Sequence, residues 1–241
     1  MNQGGADHHG AMNTLPAQTP SVEPDPEALL KDVVASGWTR LLVPKALGGE
    51  GAPHDVIAQA LLTLARQHPA AAWMAWSQAM VMQALLQSNN VAVRENVLPD
   101  LMAGHRAGAV SWSADLGLGL PPKPVEAQAL ARGWALTGRL NQVLNLQWMG
   151  YVVLCPVWFV SSAKPSPQLC WTLLRGEEDG LRHEMDRSRP LTRQAACGTL
   201  HLDGVYFWED ELLADQGEEL SASLRVLDQS LRSALWAGAL E

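Results

Sequence analysis

The chain has 241 residues, 47% of them hydrophobic and 17% charged, with a formal net charge of −8 at pH 7. That acidic balance argues against nucleic acid as a partner, because such binders concentrate Lys and Arg. No stretch is apolar over the roughly 18 residues that a membrane span needs. Three widely spaced cysteines, Cys155, Cys170 and Cys197, without a C-x-x-C pair, signal neither a zinc site nor a disulfide framework.

Residues 1–26 are poor in hydrophobes and rich in Gly, Asn, Gln and Pro, with no basic region leading into an apolar run. They read as a disordered leader and not as a signal peptide. With reduced, packing cysteines, this predicts a cytoplasmic protein. Pro26 to Ser36 reads as a helix with proline in its first turn and Gly37 at its stop. Gly48-Gly49-Glu50-Gly51 marks a tight turn. Helical spacing continues from Asp55 to Gln67 and from Pro69 through Trp73, Trp76, Met80 and Leu85. The second of these is apolar nearly all round, which predicts a central buried helix. Val91 to Ala103 gives another helix, with Gly104 at its end.

Beyond residue 106 the pattern turns to strands. Ala107 to Ser113, Val125 to Ala131, Trp134 to Leu140, Tyr151 to Val160 and Gln168 to Arg175 are candidates. Arg132-Gly133 and Asp203-Gly204 look like hairpin turns, and 161–167 like a polar turn. Many short strands at close spacing suggest a barrel or sandwich. From Glu218 onward Leu220, Leu224, Leu227, Leu231 and Leu235 recur at three and four, the stripe of a long amphipathic helix. Nothing later in the sequence covers that stripe, so it must pack back, dimerise or meet a partner. The fold class expected is α+β: an N-terminal helical domain (27–105), a small β-barrel or sandwich domain (106–215), and one long C-terminal helix (216–241).

Chemical motifs are sparse. Seven histidines form no H-x-x-x-H or H-E-x-x-H pattern, and G-x-S-x-G is absent, so neither a metal site nor an esterase is signalled. Gly117-Leu118-Gly119 has no third glycine and reads as a flexible loop. Arg182, Arg187, Arg189 and Arg193 form a basic cluster, either an exposed loop balancing Glu177-Glu178-Asp179 or a phosphate patch. Ten tryptophans against two Phe and two Tyr fill a core or stack on a flat ligand.

The order of helical domain, β-domain and long helix resembles the acyl-CoA dehydrogenase family, as do several local stretches. Gly37 to Pro44 with Gly48-Gly49-Glu50-Gly51 is similar to its early glycine-rich segment. Leu136-Thr137-Gly138 to Asn145 is similar to its "L.G.K.WITN" signature, Leu202 to Val205 to its "F..V.VP" strand, and Asp215 to Arg232 to the start of its next helical domain. The resemblance implies a flavoprotein oxidoreductase that removes hydrogens from the α and β carbons of an acyl-CoA or other acyl thioester, with FAD held against the β-domain. It implies Trp112, Ser113, Gln142, Leu144 and Asn145 as cofactor contacts and Arg232 as a substrate contact.

The departures are equally specific. The family's Trp-Ile-Thr becomes Gln142-Val143-Leu144, and its "TEP..GSD" segment becomes Ser113-Ala114-Asp115-Leu116-Gly117. Each lost hydrogen bond costs about 0.5–3 kcal/mol, so FAD is expected to be weak or absent in the isolated chain. The family's catalytic carboxylate lies in a domain beyond the position of Glu241, so no catalytic residue is nominated, and a helical partner subunit, a longer chain or a homo-oligomer is expected. Two alternatives accompany this reading: a non-catalytic scaffold of the same fold, and a flavin-dependent monooxygenase, suggested by Pro69-Ala70-Ala71-Ala72-Trp73.

Overall fold

The computed structural model describes residues 25–112, 125–159, 168–215 and 217–239. The leader up to residue 24, Ser113, the Gly117–Gly119 loop and the 161–167 turn lie outside the described residues.

Five helices come first: α1 (Pro26–Ala35), α2 (Trp38–Leu41), α3 (His54–Gln67), α4 (Pro69–Gln87) and α5 (Val91–Ala103), with a 3₁₀ turn at Lys45–Leu47. Their ends follow the punctuation in the sequence. Pro26 and Pro69 open α1 and α4, where a missing N–H costs nothing. Gly37 follows α1 at φ 81° and Gly104 closes α5 at φ 69°. The Asn90 side chain accepts from the Val93 N–H at 3.1 Å and caps α5. Of these five helices only the short α2 is not foreseen.

The centre of this lobe is α4. From Ala70 to Leu85 only Trp73 is more than marginally exposed, as its all-round apolar sequence requires. Helices α1, α2, α3 and α5 pack around it, and β1 crosses it.

Eight strands form one sheet: β1 (Ala107–Ser111), β2 (Val125–Ala129), β3 (Trp134–Leu144), β4 (Tyr151–Phe159), β5 (Gln168–Arg175), β6 (Leu181–Met185), β7 (Gly198–Phe207) and β8 (Leu212–Ala214). A short helix, α6 (Pro190–Gln194), sits before β7. The order is β6-β7-β3-β1-β4-β5-β8, and β2 pairs with both β3 and β4. Because β1 also touches β3 and β4, those four strands close into a ring, which decides for a barrel. The Arg132-Gly133 hairpin forms as expected, joining β2 to β3.

Asp203-Gly204 does not form a hairpin. Strand β7 runs straight through it, and Leu136 pairs with Val205 while Thr137 pairs with Asp203. Gly204, at φ 69°, is the extra residue of a β-bulge. The same glycine that permits a tight turn permits a bulge, and only the partner strand decides between them. Strand β6 was also hidden. Its residues Arg182, His183 and Glu184 are exposed, so it lacks the apolar alternation that marks a strand.

The last helix, α7 (Gly217–Ala239), lies against α3, α4 and β5. Leu220, Leu224, Leu227, Leu231 and Leu235 are all buried. The apolar stripe therefore packs back on the helical lobe, and no second molecule is needed to cover it. Gly238 is the closest point of the contact: a Cβ there would lie 2.6 Å from the Ala65 Cβ and 2.8 Å from the Leu62 carbonyl oxygen.

Candidate functional site

Three elements converge where α4, the end of β1 and α7 meet. Trp73 and Trp76 stand three residues apart on one face of α4, Trp112 follows β1, and Asp228, Arg232 and Trp236 lie four apart on one face of α7. Trp112 stacks on Trp73, with centroids 5.1 Å apart and planes 13° from parallel. Trp76 and Trp236 meet it edge-on at 4.9 and 6.0 Å. The Arg232 guanidinium lies 4.1 Å from the Trp112 centroid and 4.8 Å from that of Trp76, a double cation–π contact.

The charge at the centre is balanced. Arg232 Nε donates to both Asp228 carboxylate oxygens at 2.8 and 2.9 Å. Asp228 Oδ1 also accepts from the Trp76 indole N–H at 2.9 Å. With side chains 23% and 11% exposed, the Arg232–Asp228 pair is largely withdrawn from water, where an ion pair is secure only when its remaining hydrogen-bonding capacity is met.

Three of the residues nominated from sequence join in a chain of hydrogen bonds. The Trp112 N–H donates to the Gln142 carbonyl at 2.8 Å, and Arg232 donates to the Trp112 carbonyl at 2.9 Å. Gln142 is exposed and sits at φ 50°, in the left-handed region, so its side chain is available to a ligand. Ser113 follows Trp112 but lies outside the described residues.

The other two nominated residues face inward. Leu144 is fully buried. Asn145 is fully buried at φ 64°, with its amide consumed inside the protein. Its Nδ2 donates to Gln78 Oε1 and to the Gly108 carbonyl, both at 3.1 Å, and its Oδ1 accepts from Gln147 Nε2 at 2.9 Å. Gln78 continues the network to the Leu101 carbonyl and the Gly108 N–H, and Ser77 binds the Gly108 carbonyl and accepts from the Val110 N–H. Asn145 thus fastens α4 to the barrel.

Trp73, Trp76, Asp228 and Trp236 were not nominated as site residues. The signal for them is the helical spacing, which aligns Trp73 with Trp76 and Asp228 with Arg232 and Trp236. What the spacing cannot show is that the two faces meet across Trp112.

The remaining candidates resolve simply. All three cysteines are buried, and none is in a disulfide. Burial pushes the Cys155 thiol far up, and burial with the Asp186 charge pushes Cys197 up to about 11, so neither is a ready nucleophile. The four arginines of the basic cluster are dispersed over β6, the turn after it and α6. Arg182 lies 3.6 Å from Asp203, and Glu177 pairs with Arg106 at 3.0 Å. Among the described residues no three His, Cys, Asp or Glu side chains are grouped as a metal site. Nor is any described helix long and apolar enough to cross a membrane.

Comparison with known proteins places this architecture. Residues 15–105 match the model of the acyl-CoA dehydrogenase N-terminal domain. No curated protein matches the sequence. Among solved structures, the fold is similar to PigA with FAD and proline (TM-score 0.73, 14% identity, covering 89% of this chain and 57% of that one). It is also similar to a glutaryl-CoA dehydrogenase from Mycobacterium smegmatis in complex with FADH2 (TM-score 0.73, 18% identity, 90% and 54%). A third is the prolyl acyl carrier protein oxidase AnaB (TM-score 0.71, 16% identity, 89% and 58%). The chain therefore spans little more than half the length of the structures it matches. It is built on the acyl-CoA dehydrogenase fold, and its residues 15–105 match the model of that family's N-terminal domain.

Proposed function

We propose that this chain forms one wall of the flavin cleft of an FAD-dependent oxidoreductase acting on an acyl thioester. The observation that carries the reading is the hydrogen-bond chain Gln142–Trp112–Arg232. It gathers the two exposed or half-exposed cofactor candidates and the substrate candidate at one junction of helix and barrel.

The residues present fit a flavin held through few contacts. Gln142 offers an exposed amide, and Ser113 follows the half-buried Trp112 in sequence. Leu144 offers no hydroxyl, and Asn145 is fully buried with both amide hydrogens donated inside the protein. Bound FAD would supply the hydride acceptor. Arg232, steadied by Asp228, would present its remaining N–H groups to a carbonyl or anionic group of the substrate. The neighbours named for a coenzyme A dehydrogenase and for a carrier-protein oxidase support a thioester as substrate class. The proton abstraction that accompanies hydride loss requires a carboxylate within hydrogen-bond reach of the α-carbon.

The inward placement of Leu144 and Asn145, and the packing of Trp112 among three other indoles, favour a second reading: a scaffold of this fold without cofactor. Titrating the purified protein with FAD while following visible absorbance and flavin fluorescence separates the two. A saturable, stoichiometric shift that Gln142→Ala weakens supports the flavin reading. A colourless protein that leaves the FAD signal unchanged at high concentration removes it.

A further inference from the structure

A groove of about 380 Å³ lies on the helical lobe between α2, the Lys45–Leu47 turn and α5. That is within the size range of small-molecule sites, about 300–1,000 Å³. Its apolar lining includes Leu47, Leu98, Pro99 and Met102. Its polar groups are unusual. Arg94 donates from one terminal nitrogen to the Ser88 carbonyl at 3.3 Å, yet its Nε is buried and has no hydrogen-bond partner among the described residues. Arg40, also lining the groove, donates to the Gly48 carbonyl at 2.8 Å. Against these two positive charges the lining holds a single carboxylate, Glu95, although the whole chain is acidic at −8.

We propose that this groove binds a small amphipathic carboxylate. The head group accepts from the terminal N–H groups of the Arg94 and Arg40 guanidiniums. The aliphatic part covers Leu47, Leu98 and Met102. A cationic amphiphile is rejected by the arginine pair, and a neutral one forgoes the charge-assisted pairing. This site is independent of the flavin reading, since none of its residues touches the Trp112 cluster.

Calorimetric titration of the full 241-residue protein with hexanoate, hexanol and hexylamine tests it. Hexanoate is expected to bind saturably at one site and the other two not to. Arg94→Gln should weaken hexanoate by about tenfold or more, the loss of one charge-assisted hydrogen bond. Leu47→Asp, at a position 43% exposed and safe for folding, should weaken it similarly. Should Arg94→Gln fail to fold, the exposed Arg40→Gln takes its place. Absence of saturable heat with hexanoate, equal binding of hexanol, or unchanged affinity in the groove variants overturns the proposal.

Discussion

Arg232 and Trp112, 120 residues apart, are joined twice: the guanidinium donates to the Trp112 carbonyl at 2.9 Å and covers the indole at 4.1 Å. One side chain of α7 therefore holds both the backbone and the ring of the residue that follows β1. Asp228 holds that side chain in turn.

Removing Arg232 would strand the Asp228 carboxylate, only 11% exposed, with the Trp76 indole as its remaining donor. Arg232→Ala is expected to destabilise by about 2–4 kcal/mol, towards the range for breaking a buried pair. The double variant Arg232→Ala with Asp228→Ala should cost less than the sum of the two single variants, because it leaves no unpaired charge. Urea unfolding midpoints of the four proteins check this. Additive losses would mean that the pair is not coupled.

Asn145 combines a left-handed backbone with an amide that makes three buried hydrogen bonds, and substitution separates the two. Asn145→Gly keeps the backbone and loses the hydrogen bonds, at about 1–3 kcal/mol. Asn145→Ala adds about 1–2 kcal/mol for a Cβ at positive φ. Chemical denaturation should therefore rank Asn145 above Gly and Gly above Ala. Equal stability of the Gly and Ala variants would remove the strain argument.

Gly238 brings α7 onto α3. A Cβ there meets the Ala65 side chain and the Leu62 carbonyl at distances that real contacts do not reach. Gly238→Ala is expected to cost about 1–3 kcal/mol through overpacking, despite alanine's better helix propensity. Ala65→Gly in the same chain should recover part of the loss, which thermal melting would show. A neutral Gly238→Ala would mean that the last turn of α7 is not held against α3.

Stability should fall on the alkaline side. Burial, and then the Glu177 carboxylate, push the Tyr151 phenol from 10.0 up to about 12. Burial and Asp186 push the Cys197 thiol from 9.0 up to about 11. Both groups are neutral when protonated, so the unfolded chain loses these protons before the folded chain does. The folded state is thus favoured less as pH rises, beginning near pH 9 and continuing to about 12. Unfolding midpoints across that window should decline, and Tyr151→Phe should flatten the decline above about pH 10. A midpoint independent of pH there would contradict the burial of both groups.

The sequence by itself determined five of the seven described α-helices and most of the barrel strands, because their signals are local. Prolines at N-termini, glycines at C-termini and apolar residues at three and four act within a single turn. The Leu220–Leu235 stripe was legible as a buried face for the same reason. What covers that face was not, since α3 and α4 lie some 150 residues earlier. The tertiary structure alone decided between a hairpin and a bulge at Asp203-Gly204, because both use one glycine at positive φ and differ only in the strand opposite. It alone decided that Asn145 fastens the core while Gln142, three residues before it, faces solvent. And it alone made one cluster of Trp73, Trp76, Trp112 and Arg232, because contact between side chains on separate elements is a property of packing that no local spacing encodes.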